Sequence, residues 1–377
     1  LAAGAAFRIM SPMIKYLGSK RALLGHILPV IAAAAPPGAR VLDLFSGTAR
    51  VGHALKAAGF RVIANDHNAF AHRLATCYVE ADAERWADPA RRLLAELQAT
   101  PPRAGWFTET YCVASRYFHP DNGGKIEAIR EAIGRLAAPP QLEAILLTAL
   151  LEAADRVDST AGLQMAYMKR WAPRATNPLT LRLPALLPRP AAGACTALCG
   201  EAEAIAAKVE CDIAYLDPPY NQHSYLRNYH VWETLVRWDQ PAVYGVAMKR
   251  TDCRERRSAF NSKPGIGPAL ARTIAALRCR ALVVSFNDEG YLDRAALEAM
   301  LAERFEVRVL AIPHGRYVGA RIGIHNPQGE KVGTVGRLTN TEFLFVASER
   351  RGALPDLPLP NLPLADLPLP DHPLAAA

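Results

Sequence analysis

Apolar side chains fall at helical spacing over 19–35, where Leu23, Leu24, Ile27, Leu28 and Ile31 share one face. Pro29 is expected to kink this helix and the Pro36-Pro37-Gly38 cluster to end it. Residues 40–45 then read as a short buried strand. Gly47 and Gly52 bracket a sharp turn into a second helix, carried by Val51, Leu55 and Ala58, which stops at Gly59. A second strand over 60–64 ends at Asn65 and Asp66. A strand, helix, strand unit of this size opens a doubly wound parallel sheet.

Between 70 and 192 the helical period dominates. Ile126, Ile129, Ile133 and Leu136 share one face, and Leu142, Ile145, Leu146, Ala149 and Leu150 another; these stripes read as core rather than as ligand contacts. Within 159–190 five basic residues and five prolines occur with no acid, the composition of a cationic, irregular loop. Strand signals return at 197–199, 213–216, 281–286, 307–312 and 343–347, alternating with helical patterns at 223–238, 267–278 and 293–303. The helical stretch therefore splits one sheet in sequence. Residues 313–337, with Gly interleaved among Arg316, Arg321 and Lys331, read as a β-hairpin arm. Residues 353–377 hold seven prolines in a near-repeating Leu-Pro pattern that cannot build a packed core. Residues 1–12 show no targeting pattern and read as an untidy start upstream of Met10 or Met13.

Composition narrows the class. The 377 residues, 50% apolar and 21% charged, suffice for one large or two modest domains, which excludes a wholly disordered chain. A net charge of +8 suits a polyanionic partner without proving one. Seven cysteines, odd in number and scattered, exclude a disulfide framework and read as reduced thiols in a cytoplasm. Cys195 and Cys199 form the only close pair and lack further ligands at suitable spacing, so no metal is expected. The longest apolar runs, 27–35 and 144–151, fall well short of the ~18 residues that cross a bilayer, and no membrane partner is expected.

Two constellations carry chemistry. The first is Asp43-Leu44-Phe45-Ser46-Gly47-Thr48-Ala49-Arg50-Val51-Gly52, where the parallel sheet opens toward a ligand. A P-loop would need Lys and Ser or Thr after the last Gly, where His53-Ala54 stand, and a dinucleotide fingerprint would need Gly at position 49, which is Ala. What remains is a strand ending in a carboxylate, a glycine turn, and a second carboxylate, Asp66, at the next strand tip. Asp66 suits ribose hydroxyls and Asp43 a positively charged amino group. A nucleoside with an ammonium and no pyrophosphate fits, and S-adenosylmethionine is such a ligand; ordinary capping acids are the bland reading.

The second is Asp217-Pro218-Pro219-Tyr220, directly after the strand 213–216. Two prolines stiffen the loop and leave the Pro218 carbonyl free, so carbonyl and carboxylate form a two-acceptor clamp for an exocyclic NH2. Accepting both N–H bonds draws that nitrogen toward a more nucleophilic state, and Tyr220 offers a flat face for a base.

Lys15-Tyr16-Leu17-Gly18-Ser19-Lys20, the 43–52 turn, Asp66 and the DPPY at 217–220 together, in this order, resemble the Dam-like, alpha-group DNA adenine-N6 methyltransferases. The resemblance covers most of 13–348 as architecture, although its motifs are short. It implies an α/β fold: a Rossmann-like class I methyltransferase sheet with a mostly helical target-recognition insert. The implied division is 13–70 as the amino-terminal cofactor-binding part of the catalytic domain, 71–192 as the insert and 193–348 as the carboxy-terminal part with the DPPY loop, while the composition of 349–377 reads as a proline-rich disordered tail. It further implies that Tyr16, Lys20, Asp66 and Asp217 contact S-adenosylmethionine, with Phe45 and Gly47 lining its pocket. Tyr16 stands where family members often carry Trp, and Asp43 where some carry Glu. Gly200-Glu201 resembles the segment flanking the cofactor adenine, where Asp is more usual.

Toward nucleic acid, residues 221–280 hold eleven basic and four acidic residues, among them Lys249, Arg250, Arg254, Arg256, Arg257 and Lys263, which suits phosphate contact. Tyr229 and Trp232, three apart on a helical pattern, read as packing rather than base stacking. The turn at 117–125 and the loop at 167–182 resemble recognition elements, offering Lys169, Arg170, Arg174, Asn177 and Arg182 to bases or phosphates. The expected enzyme moves a methyl group from S-adenosylmethionine to N6 of a flipped-out adenine at a specific site in double-stranded DNA. A companion restriction endonuclease is compatible with it; the recognised site and the oligomeric state are not written in the chain. An RNA adenine or cytosine N4 enzyme is the neighbouring alternative, with Asp217 favouring adenine, and a non-catalytic DNA-binding module the more distant one, which the intact DPPY opposes.

Overall fold

The computed structural model describes residues 13–315 and 339–349. Seven strands form the central sheet: β1 (Arg40–Asp43), β2 (Arg61–Asn65), β3 (Thr196–Leu198), β4 (Ile213–Leu216), β5 (Ala281–Asn287), β6 (Glu306–Gly315) and β7 (Thr339–Ser348). Their spatial order is β3-β2-β1-β4-β5-β7-β6. The first five pair in parallel, and β7 runs antiparallel to both β5 and β6. The expected doubly wound parallel arrangement holds over β3 to β5, and at one edge two strands consecutive in sequence, β6 and β7, pair antiparallel with each other. Every residue of β4 and β5 is buried, as strands covered on both faces require. Leu42, Ala214, Leu282 and Val284 pack into one core cluster; Val41, Ile213, Val283 and Val346 pack into the larger one on the other face.

The chain order reverses between β1 and β4, and a crevice opens beyond their carboxyl ends. Helix α1 (Leu24–Ala34), entered through a 3-10 turn at Lys20–Leu23, tolerates Pro29 inside it. Helix α2 (Arg50–Ala57) links β1 to β2. Between β2 and β3 lie α3 (Ala69–Ala75), α4 (Ala83–Ala99), α5 (Pro120–Arg135) and α6 (Pro140–Arg156), followed by an irregular stretch with one 3-10 turn, Pro173–Thr176. Ile129 and Leu150 of these helices, with Phe107 and Tyr111 from the short helical turns between α4 and α5, belong to the same core cluster as Val41 and Ile213, so this stretch is packed onto the sheet.

Local departures have local causes. The helix expected over 223–238 is broken at Tyr229, whose φ of −133° leaves the helical region, into a Ser224-capped turn (Tyr225–Asn228) and the following His230–Arg237. The helix expected from 267 begins at Lys263, because Pro264 in its first turn gives up an N–H that has no partner there anyway. The reading of a hairpin arm over 313–337 falls mostly outside the described residues, as do those of the start at 1–12 and of the tail at 353–377.

Candidate active site

The crevice is a cleft of about 810 Å³, counting the open space at its mouth. Tyr16, Lys20, Asp43, Phe45, Gly47, Asp66 and Asp217, all expected from the sequence to meet a cofactor, line it together, with Glu201 at its rim. Gly47 adopts φ +52°, and a side chain there would come within 3.2 Å of the Tyr16 ring, so the turn and the amino-terminal segment can meet only over a bare backbone. Gly52 lets α2 approach β1: its N–H donates to Asp43 Oδ2 at 3.1 Å. Asp66 accepts from the N–H of Gly47 (3.1 Å) and of Asn68 (2.9 Å), which fixes its carboxylate at the tip of β2. Asn65 ties the strand tips by donating to the carbonyls of Leu44 and Gly200, each at 3.1 Å.

Charge is concentrated at the floor. Burial, reinforced by Asp217, pushes the Asp43 carboxyl up to about 8. Its Oδ1 and the Ser46 hydroxyl are buried with no hydrogen-bond partner among the described residues. Lys20, expected from the resemblance to meet the cofactor, is only 6% exposed and lies 3.0 Å from Asp217 Oδ1 and 2.6 Å from Glu342 Oε1. Burial opposes its charge, but the two carboxylates outweigh burial and raise it well above the usual lysine range. Burial raises Asp217 to about 6, with Lys20 opposing. Glu342, whose burial would raise it, is instead drawn below the usual range by Lys20, Ser285 and Asn287.

The DPPY loop is divided. Asp217 and Pro219 line the cleft, whereas Pro218 is buried and Tyr220 rests on Phe286 with ring centroids 5.4 Å apart. The Pro218 carbonyl accepts no hydrogen bond among the described residues. The loop is pinned beyond Tyr220: Tyr291 N–H donates to the Tyr220 carbonyl at 2.9 Å, and Asn261 donates to the carbonyls of Asn221 and His223. Sequence reasoning missed three contributors. Phe260 stands edge-on to Phe45 (5.1 Å) and forms a wall of the cleft; Tyr225 lines it while stacking on Tyr16; and Glu342 arrives from β7. Tyr229 and Trp232 are buried, as the spacing indicated.

With this geometry in view, residues 16–272 match the D12 class N6 adenine-specific DNA methyltransferase family. The chain belongs to that family. It is 32% identical over 272 residues to the Type II methyltransferase M.NlaIII of Neisseria lactamica, an alignment covering 70% of this chain and 79% of that protein. It is 29% identical to the Type II methyltransferase M.FokI of Planomicrobium okeanokoites, covering 81% of this chain and 50% of that one, so it spans about half of that relative's length. It is also 25% identical to M.CviAII of Paramecium bursaria Chlorella virus 1, across 81% of this chain and 92% of the relative. The protein is accordingly an adenine-specific DNA methyltransferase, and its sheet is the Rossmann-like sheet expected.

The residues offered to DNA are not brought together with the cleft in this D12 class methyltransferase: none of them lines it. Lys169, Arg170, Asn177, Arg182 and Arg254 are exposed, with Arg254 lying 3.8 Å over the Tyr244 ring. Lys249 is half-buried, its Nζ 3.3 Å from Met165 Sδ. Arg174, also half-buried, donates to Asp158 (2.9 Å) and to the Thr160 carbonyl (2.5 Å). Arg250 requires correction as a phosphate contact. It is 2% exposed and donates to both oxygens of Asp239 at 2.6 and 2.7 Å and to Asp252 at 3.0 Å, clamping the base of a ribbon in which Val243–Tyr244 pairs with Lys249–Arg250. No helix among the described residues is long and apolar enough to cross a membrane.

Proposed function

We propose that the methyl donor is S-adenosylmethionine and that the cleft holds it beside an adenine swung out of duplex DNA. The fit rests on the donor set: a buried carboxyl with one unpartnered oxygen, Asp43, suits an ammonium, and the fixed Asp66 carboxylate suits ribose hydroxyls. Phe45 and Phe260 offer apolar walls to an adenine ring. The donor supplies, when bound, a methyl group on a positively charged sulfur.

The chain's own groups do the rest. Asp217, with the Pro218 carbonyl, accepts the two N–H bonds of the target amine and orients its lone pair, while Tyr220 supports the base. An amine inside a paired duplex cannot reach such a clamp, hence the extruded base. Holding the reacting groups in line accounts for most of the rate, and Asp217 need serve only as acceptor for a proton the methylated amine sheds readily.

We assign recognition of the DNA site to the helical insert, 71–192, and phosphate contact to Lys169, Arg170, Arg182, Lys249 and Arg254. A modification methylase of this kind would work beside an endonuclease of the same site. The observation that carries the reading is Asp217 at 3.0 Å from buried Lys20, on the same cleft as Asp43 and Asp66. Tritium transfer from labelled S-adenosylmethionine to duplex DNA tests it: wild type should label adenine and Asp217→Ala should not. Label appearing in RNA alone, or equal labelling by Asp217→Ala, would overturn it. Long-read sequencing of DNA from expressing cells then names the site.

A further inference from the structure

We infer that Glu342 is a positioning residue for methyl transfer, sharing the Lys20 ammonium so that the Asp217 carboxylate is left a stronger acceptor for the target amine. The inference rests on the reading of Asp217 given above. Glu342 does not itself line the cleft: it is 2% exposed and absent from the cleft wall. Its place is nevertheless closely held. Lys20 Nζ donates to Oε1 at 2.6 Å, the Ser285 hydroxyl donates to the same oxygen at 2.5 Å, and Asn287 Nδ2 donates to Oε2 at 3.3 Å. Lys20 then reaches Asp217 Oδ1 at 3.0 Å, and Asp217 is the member of the trio that opens to the cleft, 19% exposed.

The charge count explains the arrangement. Lys20 with Asp217 alone would be a neutral buried pair, its carboxylate saturated by the ammonium. A second carboxylate leaves the trio at net −1, and burying that surplus charge is unfavourable unless something offsets it. The offset is in the reaction: the amine becomes positive when methylated and sits against the trio. One proton then passes from its nitrogen to the Asp217 carboxylate, leaving a neutral methylated amine and a neutral carboxyl. Lys20 has three N–H donors, so it can serve both carboxylates without turning away from either.

Other ionisable groups face the trio. Tyr215, Tyr220, Tyr225, Asp43 and Tyr16 each interact electrostatically with Asp217, as Asp66 does with Asp43 and Glu289 with Tyr220. Asp43 is committed to the donor's ammonium when donor is saturating, so the acid limb of the transfer step then belongs to Asp217. Glu342 raises the Asp217 carboxyl, and its neutralisation should lower it.

The test is single-turnover methylation of duplex DNA at saturating S-adenosylmethionine across pH, for wild type, Glu342→Gln and Asp217→Asn. Glu342→Gln should slow the transfer about tenfold and move its acid limb down by about one pH unit, with the cofactor Kd unchanged. An acid limb identical to wild type overturns the inference, whatever the rate. If Glu342→Gln does not fold, Ser285→Ala releases the Glu342 carboxylate and should still slow transfer severalfold; a wild-type rate overturns it. Asp217→Asn separates the two claims. Full activity there defeats the reading of Asp217 itself, whereas its inactivity together with an unmoved Glu342→Gln limb defeats only the role given to Glu342.

Discussion

The ring of Tyr16 lies flat on that of Tyr225, centroids 5.0 Å apart and planes 7° from parallel. Tyr229 closes the stack from the other side at 4.8 Å and receives the Leu17 N–H on its hydroxyl at 2.6 Å. The amino-terminal segment is therefore fastened to the turn that follows the DPPY loop, more than two hundred residues downstream, by a three-ring stack of which Tyr16 and Tyr225 line the cleft.

Tyr16→Ala should consequently weaken two properties at once. Each stacked pair contributes about 0.5–1.5 kcal/mol, so loss of both should destabilise the fold by roughly 1–3 kcal/mol. The affinity for S-adenosylhomocysteine, measured by calorimetry, should fall at least tenfold, while Tyr16→Phe retains both. Wild-type affinity in Tyr16→Ala would mean that the ring is not part of the ligand's wall.

Asp43 makes the protein sensitive to pH. A carboxyl raised in the fold contributes stability that is complete below its unfolded value near 3.8 and is lost as pH rises through about 8. Asp217, raised to about 6, acts in the same direction over a lower window. The cofactor-free protein should melt several degrees higher at pH 6 than at pH 8.5, and Asp43→Asn should remove most of that difference. A cationic ligand ionises Asp43, so binding at pH 7 should release close to one proton. Titration calorimetry in buffers of different ionisation enthalpy reads this directly; no buffer dependence would refute it.

The basic residues divide by environment, and mutation should divide them the same way. Arg250→Ala leaves Asp239 and Asp252 with Arg237 as their remaining partner and should cost about 1–3 kcal/mol of stability. Alanine at Lys169, Arg170, Arg182 or Arg254 should leave unfolding almost unchanged, yet each residue that touches a phosphate should lower the salt slope of DNA binding by about one. A folded, stable Arg250→Ala with a lowered salt slope would return that arginine to the DNA.

Legibility followed the range of the interactions. The 43–52 turn, Asp66 and the DPPY loop were readable because each is a strand tip whose chemistry lies in adjacent residues. Glu342 was not, because its partners Lys20 and Asp217 are brought to it by the insertion of β7 beside β5, an order that no local pattern encodes. Arg250 looked like its neighbours in a basic run. The signal against a phosphate role was the pair of acids, Asp239 and Asp252, that brackets its ribbon, and their meaning depends on the ribbon folding back. Phe260 carried no signal at all, being one aromatic in a polar turn that only the fold brings against Phe45.

Gly52 offers the sharpest test of how the cofactor turn is built. A methyl group on its Cα would lie 2.9 Å from Val79 Cγ2 and 3.2 Å from Asp43 Oδ2, and Val79 is itself fully buried. Neither neighbour can give way freely, so α2 must retreat from β1 and lengthen the Gly52 N–H bond to Asp43. Gly52→Ala would stabilise an exposed helix by up to about 1 kcal/mol. Here overpacking should dominate, with a net loss of about 1–3 kcal/mol in denaturant unfolding. Because Asp43 loses the bond that orients it, ligand affinity should drop more than stability alone explains. Val79→Ala in the same chain should restore both in part. Failure of that second substitution to recover ligand affinity would show that the contact with Asp43, rather than with Val79, is what the bare backbone at Gly52 protects.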